Sequence, residues 1–190
     1  MESYLQKITT GHTWESLSVK KDTLNELKSI TEQAQSGRKG AALFYGPSGT
    51  GKMMAAGVLA RELGLDLYKV DLSSIVSKYI GETEKNLSII FEENSKASAI
   101  LFFDEADALF GKRTEVKDAH DRYANIDTNH LLQLIEDFHG IVILASNSKS
   151  NIDDVFFRRI VWVTEFTQPE KEKKGSDPCF LQALQSKVTE

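Results

Sequence analysis

The chain of 190 residues has one cysteine, Cys179, and three prolines. A single thiol excludes an internal disulfide and a cysteine-rich metal site. His12, His120, His130 and His139 are not spaced as a ligand set, so histidine points to no metal site either. No apolar run approaches the roughly 18 residues of a membrane span, and the N-terminus lacks the basic-then-apolar pattern of a secretory leader. Positive charge is also in short supply. With 23 Lys and Arg against 28 Asp and Glu the net charge is −5, so no domain-wide positive field exists to hold nucleic acid. These absences predict a soluble, cytoplasmic protein. Hydrophobic content of 41% and charged content of 27% are ordinary for a globular chain, and the length suits one domain with a real core.

What is present is an alternation. Strand-like runs fall near residues 41–45, 66–70, 100–103, 141–145 and 160–163. Helical patterns fall near 21–35, 52–63, 84–95, 117–138 and 152–157, the first with apolar spacing at Leu24, Leu27, Ile30 and Ala34. Alternating strands and helices predict an α/β fold, a parallel sheet of five strands with right-handed crossovers and helices on both faces. The organisation expected is a lead-in over residues 1–20, a core over 21–169 and a polar tail over 170–190, where Pro169 and Pro178 punctuate a linker-like stretch.

The first strand runs into Gly46-Pro-Ser-Gly-Thr-Gly-Lys52-Met53, and a helical pattern leaves it. Strand, glycine-rich loop and helix are the setting of a phosphate loop. Gly46, Gly49 and Gly51 permit backbone angles that place successive N–H groups around a phosphate at the positive end of a helix. Lys52 adds a point charge for the β- and γ-phosphates, while Pro47, Ser48 and Thr50 complete the cradle. The pattern asks for a hydroxyl at its last position, and this chain has Met53.

A second motif supports the first. Ala99-Ile-Leu-Phe-Phe103 is fully apolar, as a central parallel strand should be, and ends in Asp104-Glu105. Ligands gather at the carboxyl ends of such strands. Asp104 is placed to hold Mg²⁺ through water, and Glu105 to orient and deprotonate an attacking water. Asp104 also suits the N-cap of the short helix that follows.

With both motifs placed, residues of about 12–169 resemble the AAA family of ATPases. Ser77-Lys-Tyr-Ile-Gly-Glu-Thr-Glu84 looks like the family's first pore loop. Phe102-Phe-Asp-Glu-Ala-Asp-Ala-Leu109 resembles its acidic strand end, followed by Phe110-Gly-Lys-Arg113. Ala145-Ser-Asn147 falls where the family has its sensor asparagine, and Phe156-Phe-Arg-Arg-Ile160 where it has paired arginine fingers. The wording of Lys78-Tyr-Ile-Gly-Glu-Thr-Glu-Lys-Asn-Leu87 and Asp118-Ala-His-Asp-Arg-Tyr-Ala-Asn125 is most similar to a bacterial branch encoded beside phage-tail-like contractile injection particles.

The resemblance implies ATP and Mg²⁺ as ligands and a three-layer P-loop core. It implies that Asn147 bonds the lytic water or γ-phosphate, that Arg158 and Arg159 reach a neighbouring copy's site, and that Tyr79 grips a protein substrate in a central pore. Each residue has a plainer alternative: a turn asparagine, a basic helix C-terminus, a half-buried aromatic. Trp14 precedes the first helix, where the family forms its adenine pocket, and equally suits the core.

The chain departs from the family twice. Met53 removes a direct Mg²⁺ ligand, since a thioether is a poor partner for a hard cation. Thr50, at the loop's other end, is not expected to replace it. Residues 170–190 are too short and polar for the family's helical lid, so the lid is largely absent or the chain stops short of it. Self-association, hexameric in the family, is therefore expected to be weak. The leading reading is an ATP hydrolase that remodels or threads protein; the alternative is a nucleotide-binding switch or structural subunit with little hydrolysis. A clamp or helicase loader fits the acidic balance poorly, and a small-molecule kinase has no use for a sensor asparagine and paired arginines.

Overall fold

The computed structural model describes residues 4–75, 82–95, 99–111 and 128–168. Six strands form one sheet: β1 (Leu5–Ile8), β2 (Gly40–Tyr45), β3 (Leu67–Val70), β4 (Ile100–Phe103), β5 (Ile141–Ser146) and β6 (Ile160–Glu165). The helices are α1 (Lys21–Gln35), α2 (Lys52–Leu63), α3 (Leu72–Ile75), α4 (Glu82–Ser95), α5 (Asp107–Phe110), α6 (Thr128–Asp137) and α7 (Asp154–Phe157). The strand order is β1-β3-β4-β5-β2-β6. The five expected strands are mutually parallel, as an alternating strand–helix chain requires.

The central strands are buried on both faces, and side chains divide between two cores with the period of two that a strand imposes. Leu101 and Phe103 of β4, with Val142 and Leu144 of β5, face the core built with α4 and α6. Ile100 and Phe102, with Ile141, Ile143 and Ala145, face the core built with α1 and α2. The result is a three-layer sandwich. An aromatic chain in the first core, Phe103 to Phe110 to Phe156, makes successive edge-on contacts at 5.5 and 5.0 Å between ring centroids. It ties the end of β4 to α7.

One strand was not expected. β1 adds an antiparallel edge against β3, with Leu5 opposite Val70 and Ile8 opposite Leu67. Its apolar residues stand three apart around exposed Gln6 and Lys7, a spacing that mimics a helix rather than a half-buried strand. Lys7 meets Asp66 at 2.8 Å on the same edge. Downstream of β1, Thr10 lies so close to Gly57 of α2 that a Cβ there would meet its Oγ1 at 2.6 Å. The lead-in thus packs onto the core layers.

The expected helix over 117–138 is seen from Thr128 to Asp137, and its earlier part lies outside the described residues. The helix expected over 152–157 is a 3-10 turn at Lys149–Asn151 followed by α7, whose N-cap Asp153 accepts a hydrogen bond from the Val155 N–H. Tyr79, the segments 112–127 and 169–190, and with them Cys179, also lie outside the described residues.

Candidate phosphate-binding site

β2 is flanked by β5 and β6, and the chain leaves its carboxyl end through the glycine loop into α2. The turn needs glycine at its first position. Gly46 has φ +142°, and a Cβ there would lie 1.8 Å from the carbonyl oxygen of Phe166. Tyr45 O accepts from the Phe166 N–H at 2.7 Å and Ser146 O from the Gly46 N–H at 3.1 Å, so β5 and the exit of β6 grip the loop's root. Gly49 and Gly51, at φ +78° and +94°, have open space where a Cβ would be. A ligand can therefore approach their backbone closely. Pro47, Ser48 and Gly49 are exposed at the crest.

Lys52 opens α2 and returns over the loop. Its ammonium donates to the carbonyls of Gly46 at 2.6 Å and Pro47 at 2.9 Å. Burial pulls the Lys52 pKa below its ordinary value, with the negative charge of Asp104 acting the other way. Thr50 is buried, and its hydroxyl donates to Pro47 O at 2.8 Å, turned into the loop rather than toward a ligand. Met53 lines the cleft above the loop and also packs against the α1–α2 core, so its thioether is partly drawn into apolar surroundings.

The cleft is about 310 Å³ and is bounded on its far wall by Asp104, Glu105 and Asn147. Asp104 and Glu105 follow β4, and Asn147 follows β5. Glu105 is exposed and has φ +51°, the one non-glycine residue with positive φ among the described residues. A left-handed conformation costs a residue with a Cβ about 1–2 kcal/mol. Here it is held by the Asp104 carboxylate accepting the Glu105 N–H at 3.2 Å and by the Ala106 N–H donating to Ala145 O at 2.8 Å. Beside Asn147, Ser146 Oγ donates to Ser148 O at 3.0 Å and fixes the turn that carries the asparagine.

Asp104 has a partner that composition and motif spacing did not reveal. Lys69 of β3 reaches across to its carboxylate at 3.0 Å. The pair arises from register: Lys69 stands opposite Phe102, two residues before the acid. The only sequence signal was a lysine in an otherwise apolar strand.

Arg158 and Arg159 are elsewhere. Ile160, directly after them, pairs with Ala41, and the glycine loop begins only after Tyr45. At ~3.3 Å per residue the arginines stand more than about 10 Å down the sheet, at the opposite edge from the cleft. Both are exposed. Arg159 is tied to Glu136 of α6 at 2.5 Å, and Arg158 makes no ion pair among the described residues. Trp14 begins a 3-10 turn, packs partly buried against the α1–α2 core and lies under Lys28 at 6.0 Å.

The loop's glycine geometry suits phosphate. Oxygen donors for a divalent cation are fewer: the Asp104 carboxylate is already paired with Lys69, Glu105 is the other acid on the wall, and Met53 puts sulfur where the motif asks for a hydroxyl. Among the described residues no three His, Cys, Asp or Glu side chains cluster as a metal site. A cation here would rely on Asp104 and on the phosphates themselves, as Mg²⁺ commonly does.

Fold and motif order together define a P-loop α/β domain. The family model for the ATPase family associated with various cellular activities (AAA) matches residues 42–168. The chain belongs to the AAA family of ATPases. An uncharacterized AAA family ATPase, y4kL, of Sinorhizobium fredii (strain NBRC 101917 / NGR234) is 36% identical over 156 residues, covering 80% of this chain and 47% of the relative. The ATPase family gene 2 protein of Schizosaccharomyces pombe (strain 972 / ATCC 24843) is 37% identical over 140 residues, 70% of this chain and 17% of that protein. The chain thus spans less than half the length of these relatives. The crystal structure of the FIGL-1 AAA domain in complex with ADP shares the fold at TM-score 0.69 and 22% identity, covering 97% of this chain and 64% of that one. Among the described residues no helix is long and apolar enough to cross a membrane.

Proposed function

We propose that this chain binds ATP over residues 46–53 and hydrolyses it, as the core of a machine that remodels or threads protein. One observation carries the reading: the glycine loop with Lys52, the Asp104-Glu105 pair and Asn147 come from three separate segments and bound one cleft. The roles follow from placement. Loop amides and Lys52 hold the phosphates. Glu105 stands exposed, in a strained conformation, where a base for the attacking water is needed. Asn147 donates to that water or to the γ-phosphate. Asp104 would hold Mg²⁺, which when bound neutralises charge on the transferring phosphoryl. The ADP complex of the FIGL-1 domain supports nucleotide as the ligand class.

Arg158 and Arg159, on the far side of the sheet, cannot reach their own cleft and are read as fingers offered to a neighbouring copy. Assembly into a ring, hexameric as in the family, would bring them into use. Tyr79 is read as the residue that grips an extended protein chain. Kinship with the branch encoded beside contractile injection particles rests on the resemblance of residues 78–87 and 118–125, and a cytoplasmic location on the lack of a leader pattern and of a long apolar run.

Met53 and the inward-turned Thr50 favour a second reading, a nucleotide switch that turns over slowly. Steady-state phosphate release with and without Mg²⁺, for this chain and for Glu105→Gln, separates the two. Release that falls about 10²- to 10⁴-fold in the variant, at unchanged ATP affinity, supports hydrolysis. Equal release from both proteins removes the enzyme reading and leaves the switch.

A further inference from the structure

The Lys69–Asp104 pair ties an acid of the cleft to a lysine that nucleotide chemistry alone does not call for. The two groups meet at 3.0 Å, with side chains 36% and 44% exposed. Three facts bear on Asp104 together. Its carboxylate already faces a fixed cation. The residue after the loop lysine, Met53, brings no oxygen. Of the loop's two hydroxyls, that of Thr50 is committed to Pro47 O, and that of Ser48 stands on the exposed crest. A divalent ion entering here must compete with Lys69 for Asp104 and meets a thioether where the motif places its hydroxyl ligand.

Charge balance points the same way. Lys52, Asp104 and Glu105 line the cleft and Lys69 pairs with Asp104, two cations against two anions, before any ligand is counted. A triphosphate brings negative charge to a site whose acid is already paired with Lys69. We propose that Lys69 is a positioning residue that acts as a built-in counter-cation: it holds Asp104, shields it from the incoming phosphates and lets this chain take up nucleotide with little dependence on Mg²⁺. The inference rests on the nucleotide reading of the cleft. It goes beyond that reading by assigning the metal's electrostatic share in binding to a side chain on β3.

The test uses the whole chain, a fluorescent ATP analogue, and Mn²⁺ as a paramagnetic probe whose binding is read directly by electron spin resonance. Lys69→Met keeps the length of the side chain and removes the charge; Lys69→Arg restores a charge. In EDTA the parent should bind the analogue within about threefold of its affinity in Mg²⁺. Lys69→Met should bind about threefold to fivefold more weakly in EDTA, and its nucleotide complex should hold Mn²⁺ more tightly by a similar factor, the scale of a partly exposed ion pair. Lys69→Arg should return both values toward the parent. Thermal unfolding of the three proteins identifies a variant that has lost its fold. Should Lys69→Met have lost it, the parent alone decides, through its EDTA-to-Mg²⁺ affinity ratio. Nucleotide uptake with equal metal dependence in parent and Lys69→Met overturns the role of Lys69 and leaves the cleft reading intact. A parent that binds only in Mg²⁺ does the same. No uptake by the parent under any condition overturns both.

Discussion

The two edges of the sheet handle charge in opposite ways. At the carboxyl edge Lys52 rests on two loop carbonyls and Asp104 on Lys69, both around one cleft. At the amino edge Arg159 is pinned to Glu136, while Arg158 stands exposed with no ion pair among the described residues. A planar, permanently charged group left without a carboxylate is suited to a partner outside its own chain. The carboxyl edge reads as a site complete for binding. Under the proposed function the amino edge supplies half of a site shared between copies.

The sharpest way to break that contrast is to exchange parts between copies. Arg158→Ala should lower ATP turnover by about 10³-fold under conditions where copies associate, the scale of an arginine finger. Arg159→Ala should do less, because its guanidinium is already engaged. Glu105→Gln should also be inactive by itself. Mixing Arg158→Ala with Glu105→Gln should recover activity, since an intact Arg158 on one copy then meets an intact cleft on another. Phosphate release that stays flat on mixing places Arg158 outside the chemistry.

Within the carboxyl edge, the loop's root and crest should differ next most. Gly46→Ala would drive a methyl into the Phe166 carbonyl, 1.8 Å away, in a backbone region that disfavours Cβ. No flexible side chain is there to yield, so a loss of about 3 kcal/mol or more is expected. Gly49→Ala meets open space and should cost only about 1–2 kcal/mol for its positive φ. Urea unfolding measures both. Equal losses would mean that Phe166 gives way and that the root is no tighter than the crest.

Met53→Thr offers an oxygen where the loop now offers sulfur. Turnover and Mg²⁺ affinity should each rise, by about threefold to tenfold, the weight of one added hydrogen-bond or metal contact of about 1 kcal/mol. Part of the gain is offset by what Met53 contributes to the α1–α2 core, so a small fall in melting temperature is expected alongside. Identical steady-state rates and Mg²⁺ titrations for the two proteins would show that water already fills the hydroxyl's place.

How far these features were legible in the sequence depended on range. The glycine loop, the apolar run ending in Asp104-Glu105, and Ala145-Ser-Asn147 are local patterns, and the five parallel strands emerge within a residue or two of where alternation put them. What was hidden is long-range or conformational. Lys69 and Asp104 lie 35 residues apart and meet only through the β3–β4 register. The Arg159–Glu136 pair likewise depends on how α6 packs. Glu105's positive φ has no signature in its side chain, because a strand end followed by a helix does not by itself demand it. β1 stayed hidden because four residues with apolar ends carry no alternation.

The smallest expected effect concerns Lys52 and pH. Burial lowers its pKa below the ordinary 10.5, and Asp104 only partly opposes this. The unfolded chain therefore holds this proton to higher pH than the folded one. Through the alkaline window between the lowered value and 10.5 the unfolded state binds more protons, so Lys52's own contribution makes the fold more stable as pH rises there. Triphosphate reverses the sign, because its anionic oxygens favour the ammonium. Affinity should then weaken as pH climbs through the lowered value, and binding below it should proceed without proton uptake. Lys52→Arg stays charged across the whole range. Its affinity, though reduced by a wider head group in a tight loop, should lose the alkaline slope. Calorimetric titrations of both proteins from neutral pH upward decide the matter. Parallel slopes would assign the titration to another group, and Lys52 would then be an ordinary surface lysine that happens to lie on the loop.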